Sequence, residues 1–395
     1  MKSNDAVIAS YARTALGKSF RGAFNATHGA QLGKASVAEA VRRAGIDPKD
    51  ISDVLMGCGF PEGPTGFNIA RQIALAAGLG NSVPGMTINR FCASSLQAIA
   101  TASQAVISGQ GEAFVAAGVE SISGTQGSMN TFMLEDADLK SQHPGIYWTM
   151  LQTAEEVARR FEVSREDQDA YGLRSQMLAA KAADNGVFDQ EIVPVSTTMN
   201  LFDRATRAVS GQRDITVSRD EGIRPDTLIE GLSGLNAVLD GGTVTAGNAS
   251  QFSDGSVATL VCSRAKAQEL GVEPLGVFRD FVVAGCEPEV MGIGPVYAIP
   301  KLLARAGLTV DDIGLWEINE AFAVQVLYCA RALGIPLDRL NVNGGAIALG
   351  HPYGVSGARI VGSGLLEAKR RGVKYFVASM CIGGGMGAAA LFEIE

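Results

Sequence analysis

The chain lacks most of the features that would mark a simple alternative. Its six cysteines, Cys58, Cys92, Cys262, Cys286, Cys329 and Cys381, form no CxxC pair. That spacing indicates neither a zinc site nor a disulfide framework, and reduced thiols are expected. No apolar run reaches the roughly 18 residues of a membrane-spanning helix. The opening Met1-Lys2-Ser3-Asn4-Asp5 lacks the basic and apolar regions of a leader, which makes the cytoplasm the expected location. Long basic runs are also missing. A net charge of -8 and a pI near 5.1 argue against nucleic-acid and membrane partners, leaving only a local basic patch for a phosphorylated ligand. Histidine is scarce, with three in 395 residues.

What is present is ample for a large α/β core: 47% of residues are hydrophobic and 48 glycines run through the chain. An internal repeat gives the organisation. Arg43-Ala44-Gly45, Asp50-Ile51 and Phe114-Val115-Ala116 recur as Arg305-Ala306-Gly307, Asp312-Ile313 and Phe376-Val377-Ala378, all displaced by 262 residues. The repeated unit reads as helix, strand, glycine-rich turn, helix, strand, which predicts two similar α/β halves with functional turns at strand ends. The segment 121–246 has no counterpart in the second half and reads as an insertion. The expected division is 1–120 and 247–271 for the first half, 121–246 for the insertion and 272–395 for the second half.

Three places carry candidate chemistry. Cys92 stands between the strand-like Met86-Thr87-Ile88 and a helix-like run from Leu96, and a helix start offers free N–H groups and a positive dipole end that favour thiolate. Two readings stand for it, a nucleophile or a packed cysteine. His351 lies in Gly350-His351-Pro352-Tyr353-Gly354, where neighbouring glycines leave the ring little local packing, so it reads as a chemical group or a core histidine. His28 and His143 sit in polar, turn-like contexts and read as surface residues. Cys381 opens Cys381-Ile382-Gly383-Gly384-Gly385, whose N–H groups would suit an oxyanion, a structural turn or a phosphate. The phosphate reading is the weakest, since neither GxxxxGK[ST] nor GxGxxG with its acidic follow-on is present.

Taken together, Asn89-Arg90-Phe91-Cys92-Ala93-Ser94, Asn319-Glu320-Ala321-Phe322, Gly350-His351-Pro352 and Cys381-Ile382-Gly383-Gly384-Gly385 resemble the signature blocks of thiolases, in the family's order. The likeness runs from Arg13-Thr14 to the last strand. It implies the thiolase fold: two five-stranded, mixed α/β halves stacked through central helices, with a loop domain over a coenzyme A channel. It also implies homodimers or homotetramers, acyl-CoA substrates, and coenzyme A as co-substrate with no permanently bound cofactor or metal. By motif matching, Cys92 is the nucleophile, His351 its activator, Cys381 the general acid/base and Asn319 the holder of an ordered water. The N–H groups of Cys92 and Gly383 form an oxyanion site. The same likeness places Arg224 against adenine, Ala246 and Ser250 along pantetheine, and Met291, Ala321 and Phe322 at the acyl end. A solvated turn for Arg224 and core packing for the last three are the competing readings.

Departures from the family pattern bear on substrate. Thr149-Met150-Leu151 stands where short-chain biosynthetic members carry His-Met-Gly, Ser95 replaces a glycine after the nucleophile, and Gln251 replaces a glycine after Ser250. The first of these favours a broad or degradative 3-ketoacyl-CoA thiolase over an acetoacetyl-CoA enzyme. A ketosynthase-like condensing enzyme shares the implied fold, but its helpers are two histidines or a histidine preceding an asparagine. Here Asn319 precedes His351 and Cys381 is present. A noncatalytic acyl-CoA-binding relative is the other rival, and the intact Cys92, Asn319, His351 and Cys381 argue against it.

Overall fold

The computed structural model describes residues 5–203, 205–206 and 208–395. Residues 1–4, on which the expected absence of a leader rests, lie outside that set. The first half begins with β1 (Ala6–Thr14), a short β2 (Gly17–Lys18), α1 (Gly29–Ala44), β3 (Asp53–Gly57), α2 (Ile69–Ala76) and β4 (Gly85–Ile88). It continues through α3 (Ser94–Ile107) and β5 (Ala113–Glu120). There follow α4 (Ile122–Thr125), α5 (Ala137–Gln142), α6 (Met150–Phe161), α7 (Arg165–Asp184), β6 (Ile192–Val193), the hairpin β7 (Val195–Phe202) and β8 (Val209–Val217), and α8 (Ile229–Ser233). β9 (Ser253–Ser263) returns to the first sheet, and α9 (Arg264–Glu269) leads on to β10 (Gly276–Gly285), α10 (Gly294–Ala306), β11 (Leu315–Ile318) and α11 (Ala323–Leu333). α12 (Ala346–Leu349), α13 (Tyr353–Arg371), β12 (Tyr375–Ile382) and β13 (Met386–Glu393) complete the chain.

The repeat seen in sequence is repeated in space. α1 and α10 both end on a left-handed glycine, Gly45 at φ 64° and Gly307 at φ 67°, because only a residue without Cβ takes that conformation cheaply. Both helices cover the outer faces of their sheets, α1 against β1, β5 and β9, and α10 against β10, β12 and β13. The pseudo-equivalent α3 and α13 instead pack against each other between the sheets. Every residue of β1, β5 and β9 is buried, as strands covered by helices on both faces require.

The strand order is β11-β12-β13-β10-β1-β9-β5-β3-β4, with β2 on β9 and β6 on β1. The halves meet edge to edge where Val7 pairs with Val277 and Ile8 with Gly276. Five strands, β4, β3, β5, β9 and β1, belong to the first half as expected. The second half differs: its fifth strand is reduced to one parallel bridge between Trp316 and Leu340. Asn341 at φ 47° and Gly344 at φ 75° turn the backbone out of extended geometry immediately afterwards, and that turn leads toward His351.

A buried ion cluster ties the inserted segment to the first sheet. Arg13, on β1 and fully enclosed, donates from Nε to Glu191 at 2.8 Å and from Nη1 and Nη2 to Asp220 at 2.7 and 2.9 Å. Its fork suits two carboxylates at once. Removing only the cation leaves two buried anions facing each other. Arg13→Met is therefore expected to destabilise the protein by about 3–5 kcal/mol, read as a lower urea midpoint. A loss under about 1 kcal/mol would mean the cluster is hydrated rather than dry.

Candidate active site

The starts of the two central helices converge on one point. A 3-10 turn, Phe91–Ala93, feeds α3, and it places Cys92 in the crevice ahead of the helix with Phe91 held at φ 43°. The N–H groups of Gly383 and of Cys92 itself reach the Cys92 sulfur and favour its anion, but burial outweighs them and pushes the thiol up to about 12. The pull toward thiolate expected from the sequence is present, and desolvation exceeds it in the free protein. A base must therefore take the proton during reaction.

His351 stands just ahead of α13, which packs against the turn that holds Cys92. Its own N–H donates to the Gln251 carbonyl at 3.1 Å, and Gly350 before it has φ 114°, where a Cβ would collide with Ser253 Oγ. Ser356 Oγ gives its hydrogen to the Pro352 carbonyl at 3.1 Å while lying 2.6 Å from His351 Nδ1. With that hydroxyl hydrogen committed, Nδ1 carries the proton and Nε2 keeps its lone pair, 3.4 Å from Asn319 Nδ2. Asn319 Oδ1 is buried with no protein partner among the described residues. Burial, helped by the Arg359 guanidinium, holds the imidazole down at about 3, so it is uncharged at ordinary pH. The Tyr353 ring stands edge-on to it at 5.3 Å.

Cys381, the penultimate residue of β12, is fully buried, and burial raises its thiol well above the ordinary range. Charge on Cys92 adds to that shift, which places the two sulfurs in each other's field. Cys381 packs in one apolar cluster with Met291, Ala321 and Phe322, the side chains expected at the acyl end. Met150 closes this wall, its sulfur 3.6 Å from where a Gly383 Cβ would stand. Thr149, the departure from His, caps α6 through a reciprocal capping box with Gln152.

The expected coenzyme A residues lie outside this centre. A groove of about 580 Å³ is lined by Gln176, Arg224, Asp226, Leu232, Ala246 and Gln251, among others. Arg224 and Ala246 are thus brought together as expected. Ser250 does not line the groove; its N–H is turned inward to the Ala321 carbonyl at 3.0 Å, and Gln251 takes its place on the wall. His28 and His143 are exposed, and His28 caps α1 through Nδ1.

Two contributors escaped sequence reasoning. Ser356, which orders the imidazole, is five residues past His351 and nothing in its spacing marks it. Glu120 is a fully buried carboxylate that accepts N–H bonds from Gly59 at 2.8 Å, Phe60 at 3.1 Å and Gly354 at 2.7 Å, pinning the start of α13 to the first half. Burial lifts it to about 6. Its signal was available: an acid closing the apolar run Phe114-Val115-Ala116-Ala117-Gly118-Val119 needs a buried partner.

This architecture agrees with what the chain matches. Residues 6–265 match the thiolase N-terminal domain and residues 272–394 the thiolase C-terminal domain. A 3-ketoacyl-CoA thiolase of Bacillus subtilis is 46% identical, covering 99% of this chain and 99% of its own. The crystal structure of the dimeric peroxisomal thiolase of Saccharomyces cerevisiae superposes with a TM-score of 0.89 at 38% identity, covering 100% of this chain and 98% of that one. The acetyl-CoA acetyltransferase of Bacillus anthracis gives 0.86 at 37% identity, covering 98% of each chain. The chain belongs to the thiolase family.

The depressed His351 value has a measurable consequence. An unfolded imidazole takes a proton near pH 6.5, whereas the folded one resists protonation down to about 3. Its contribution to stability is therefore complete above the unfolded value and is lost as pH falls toward the folded one. Wild type should lose about 1.2 kcal/mol more than His351→Gln between about pH 6 and pH 5, measured by urea unfolding. Equal pH slopes would show that His351 is solvated.

Proposed function

We propose that this protein is a degradative 3-ketoacyl-CoA thiolase of broad chain length, with Cys92, His351 and Cys381 as its reacting groups. What supports this reading is a buried thiol with two N–H donors at its sulfur, a second buried thiol in its field, and a neutral imidazole whose Nε2 faces only the Asn319 amide at 3.4 Å. His351 Nε2 takes the Cys92 proton as the sulfur attacks the 3-keto carbon. The carbon-carbon bond breaks, its electron pair goes to the acetyl-CoA enolate, and Cys381 supplies the proton that completes acetyl-CoA. The resulting Cys381 thiolate then deprotonates incoming coenzyme A, whose sulfur takes the acyl group from Cys92. The N–H groups of Cys92 and Gly383 receive one developing oxyanion, at about 3–4 kcal/mol per donor. His351, with the water that the unpaired Asn319 carbonyl would hold, receives the other.

Coenzyme A enters this reading as co-substrate, in the groove of Arg224 and Ala246, with Gln251 rather than Ser250 on its wall. Met291, Ala321 and Phe322 hold the acyl side. A homodimer or homotetramer is supported by the exposed Met86 on edge strand β4, by the exposed Phe67 and by the dimeric yeast relative. A cytoplasmic location is supported by six free cysteines, and among the described residues no helix is long and apolar enough to cross a membrane. A second reading, a biosynthetic acetoacetyl-CoA thiolase, is favoured by the likeness to the Bacillus anthracis acetyl-CoA acetyltransferase. Against it stand Thr149 spent on helix capping and Leu151 packed beside the acyl-side cluster.

Incubation with a 3-ketoacyl-CoA in the absence of coenzyme A should leave an acyl group on Cys92, identified by mass spectrometry. Cys381→Ala should still accept acyl from an activated thioester while losing most thiolysis. A label on Cys381, or full thiolysis by the variant, would overturn the division of labour.

Chain length separates the two substrate readings. Thiolysis of eight- and twelve-carbon substrates should have a kcat/KM at least equal to that of acetoacetyl-CoA, each methylene that finds apolar surface adding about 0.8 kcal/mol. A steep preference for the four-carbon substrate would favour the biosynthetic enzyme.

A further inference from the structure

α12 is a single turn, and the carbonyls at its end have no partner within the helix. Two side-chain amides meet them instead: Gln176 Nε2, from α7, lies 3.5 Å from the Ile347 carbonyl, and Gln251 Nε2 lies 3.2 Å from the Ala348 carbonyl. Both glutamines line the groove that holds Arg224 and Ala246, and Ile347 belongs to the same wall. The other side of the turn is fixed in the core, where Glu320 accepts the Ile347 N–H at 3.2 Å.

Beyond Ala348 the chain passes Leu349 and then Gly350, whose φ of 114° only glycine tolerates, before it reaches His351. Gln251 grips both sides of that glycine. Its side chain holds Ala348 and its main-chain carbonyl accepts the His351 N–H at 3.1 Å. One residue therefore forms groove wall, turn cap and histidine anchor. A glycine at this position would supply the main-chain contact alone.

We infer that Gln176 and Gln251 are positioning residues that couple occupancy of the groove to the placement of His351. The inference rests on the reading of the groove as the coenzyme A site. A nucleotide pressed against this wall orders the two amides on the end of α12, and α12 delivers that order to the imidazole across Gly350. Neither glutamine touches the reacting atoms.

The test divides the substrate into two pieces. Acetoacetyl-N-acetylcysteamine carries the thioester without a nucleotide, and adenosine 3′,5′-bisphosphate is added separately at saturation, its binding followed by calorimetry. In wild type the bound nucleotide should speed acylation of Cys92 by about fivefold or more. In Gln251→Glu and Gln176→Glu, which keep side-chain length but have no amide to donate, the ratio of rates with and without nucleotide should fall to near one. A purely structural role would slow both rates together and leave the ratio intact, and that result would overturn the inference. A wild-type ratio of one with nucleotide bound would do so too. If the nucleotide fails to bind, or binds equally well to Arg224→Ala, the reading of the groove falls first and takes the inference with it.

Discussion

The reaction centre depends on how closely α3 and α13 approach each other and the strands beneath them. A Cβ at Gly118 would stand 2.1 Å from the Gly354 carbonyl, one at Gly57 2.3 Å from the Ser95 nitrogen and one at Gly357 2.5 Å from the Leu96 nitrogen. These are backbone obstacles, which cannot swing aside as a flexible side chain would. Ser95 is buried in this contact, and its hydroxyl accepts the Ala358 N–H at 2.9 Å across the helix pair. Interiors packed to this density transmit displacement rather than absorb it. The sulfur and the imidazole are therefore fixed by a helix contact in which neither takes part.

Burial then governs the electrostatics. Cys92, His351 and Cys381 are all pushed toward their uncharged forms, chiefly by loss of solvent. The resting centre thus holds two thiols and a neutral imidazole, and charge appears there only as substrate bonds rearrange. In the proposed reaction, fixed N–H groups at Cys92 and Gly383 would meet that charge without having to reorient, which is where a dry site gains over water.

Much of this was legible in the sequence because the two halves repeat. The repeat places Cys92 and the His351 loop at equivalent helix starts, and the glycine run after Cys381 marks a turn at a strand end. What was not legible depends on partners distant along the chain. Glu120 meets Gly354 and Gln176 meets Ile347, and no local periodicity encodes either encounter. The pull of the helix start on Cys92 was read correctly in direction, yet its size against burial needs the surrounding atoms. The reduction of the second half's fifth strand to one bridge goes with Asn341 in a left-handed conformation, which asparagine adopts more readily than most residues but does not announce. Thr149 illustrates the reverse case, a residue marked by its departure from a family pattern whose visible task is to cap a helix.

The pseudo-symmetry of the central helices carries one more consequence. Two identical half-length chains paired about a twofold axis would present the same set of side chains at both helix starts, so that a thiol and an imidazole would each occur twice. A single continuous polypeptide escapes that restriction, since Cys92 and His351 are separately encoded and each start can diverge alone. Joining the halves therefore adds more than length. It lets one start keep Cys92 where the other has Gly354, and the other keep His351 where the first has Asn89, so that neither group is duplicated.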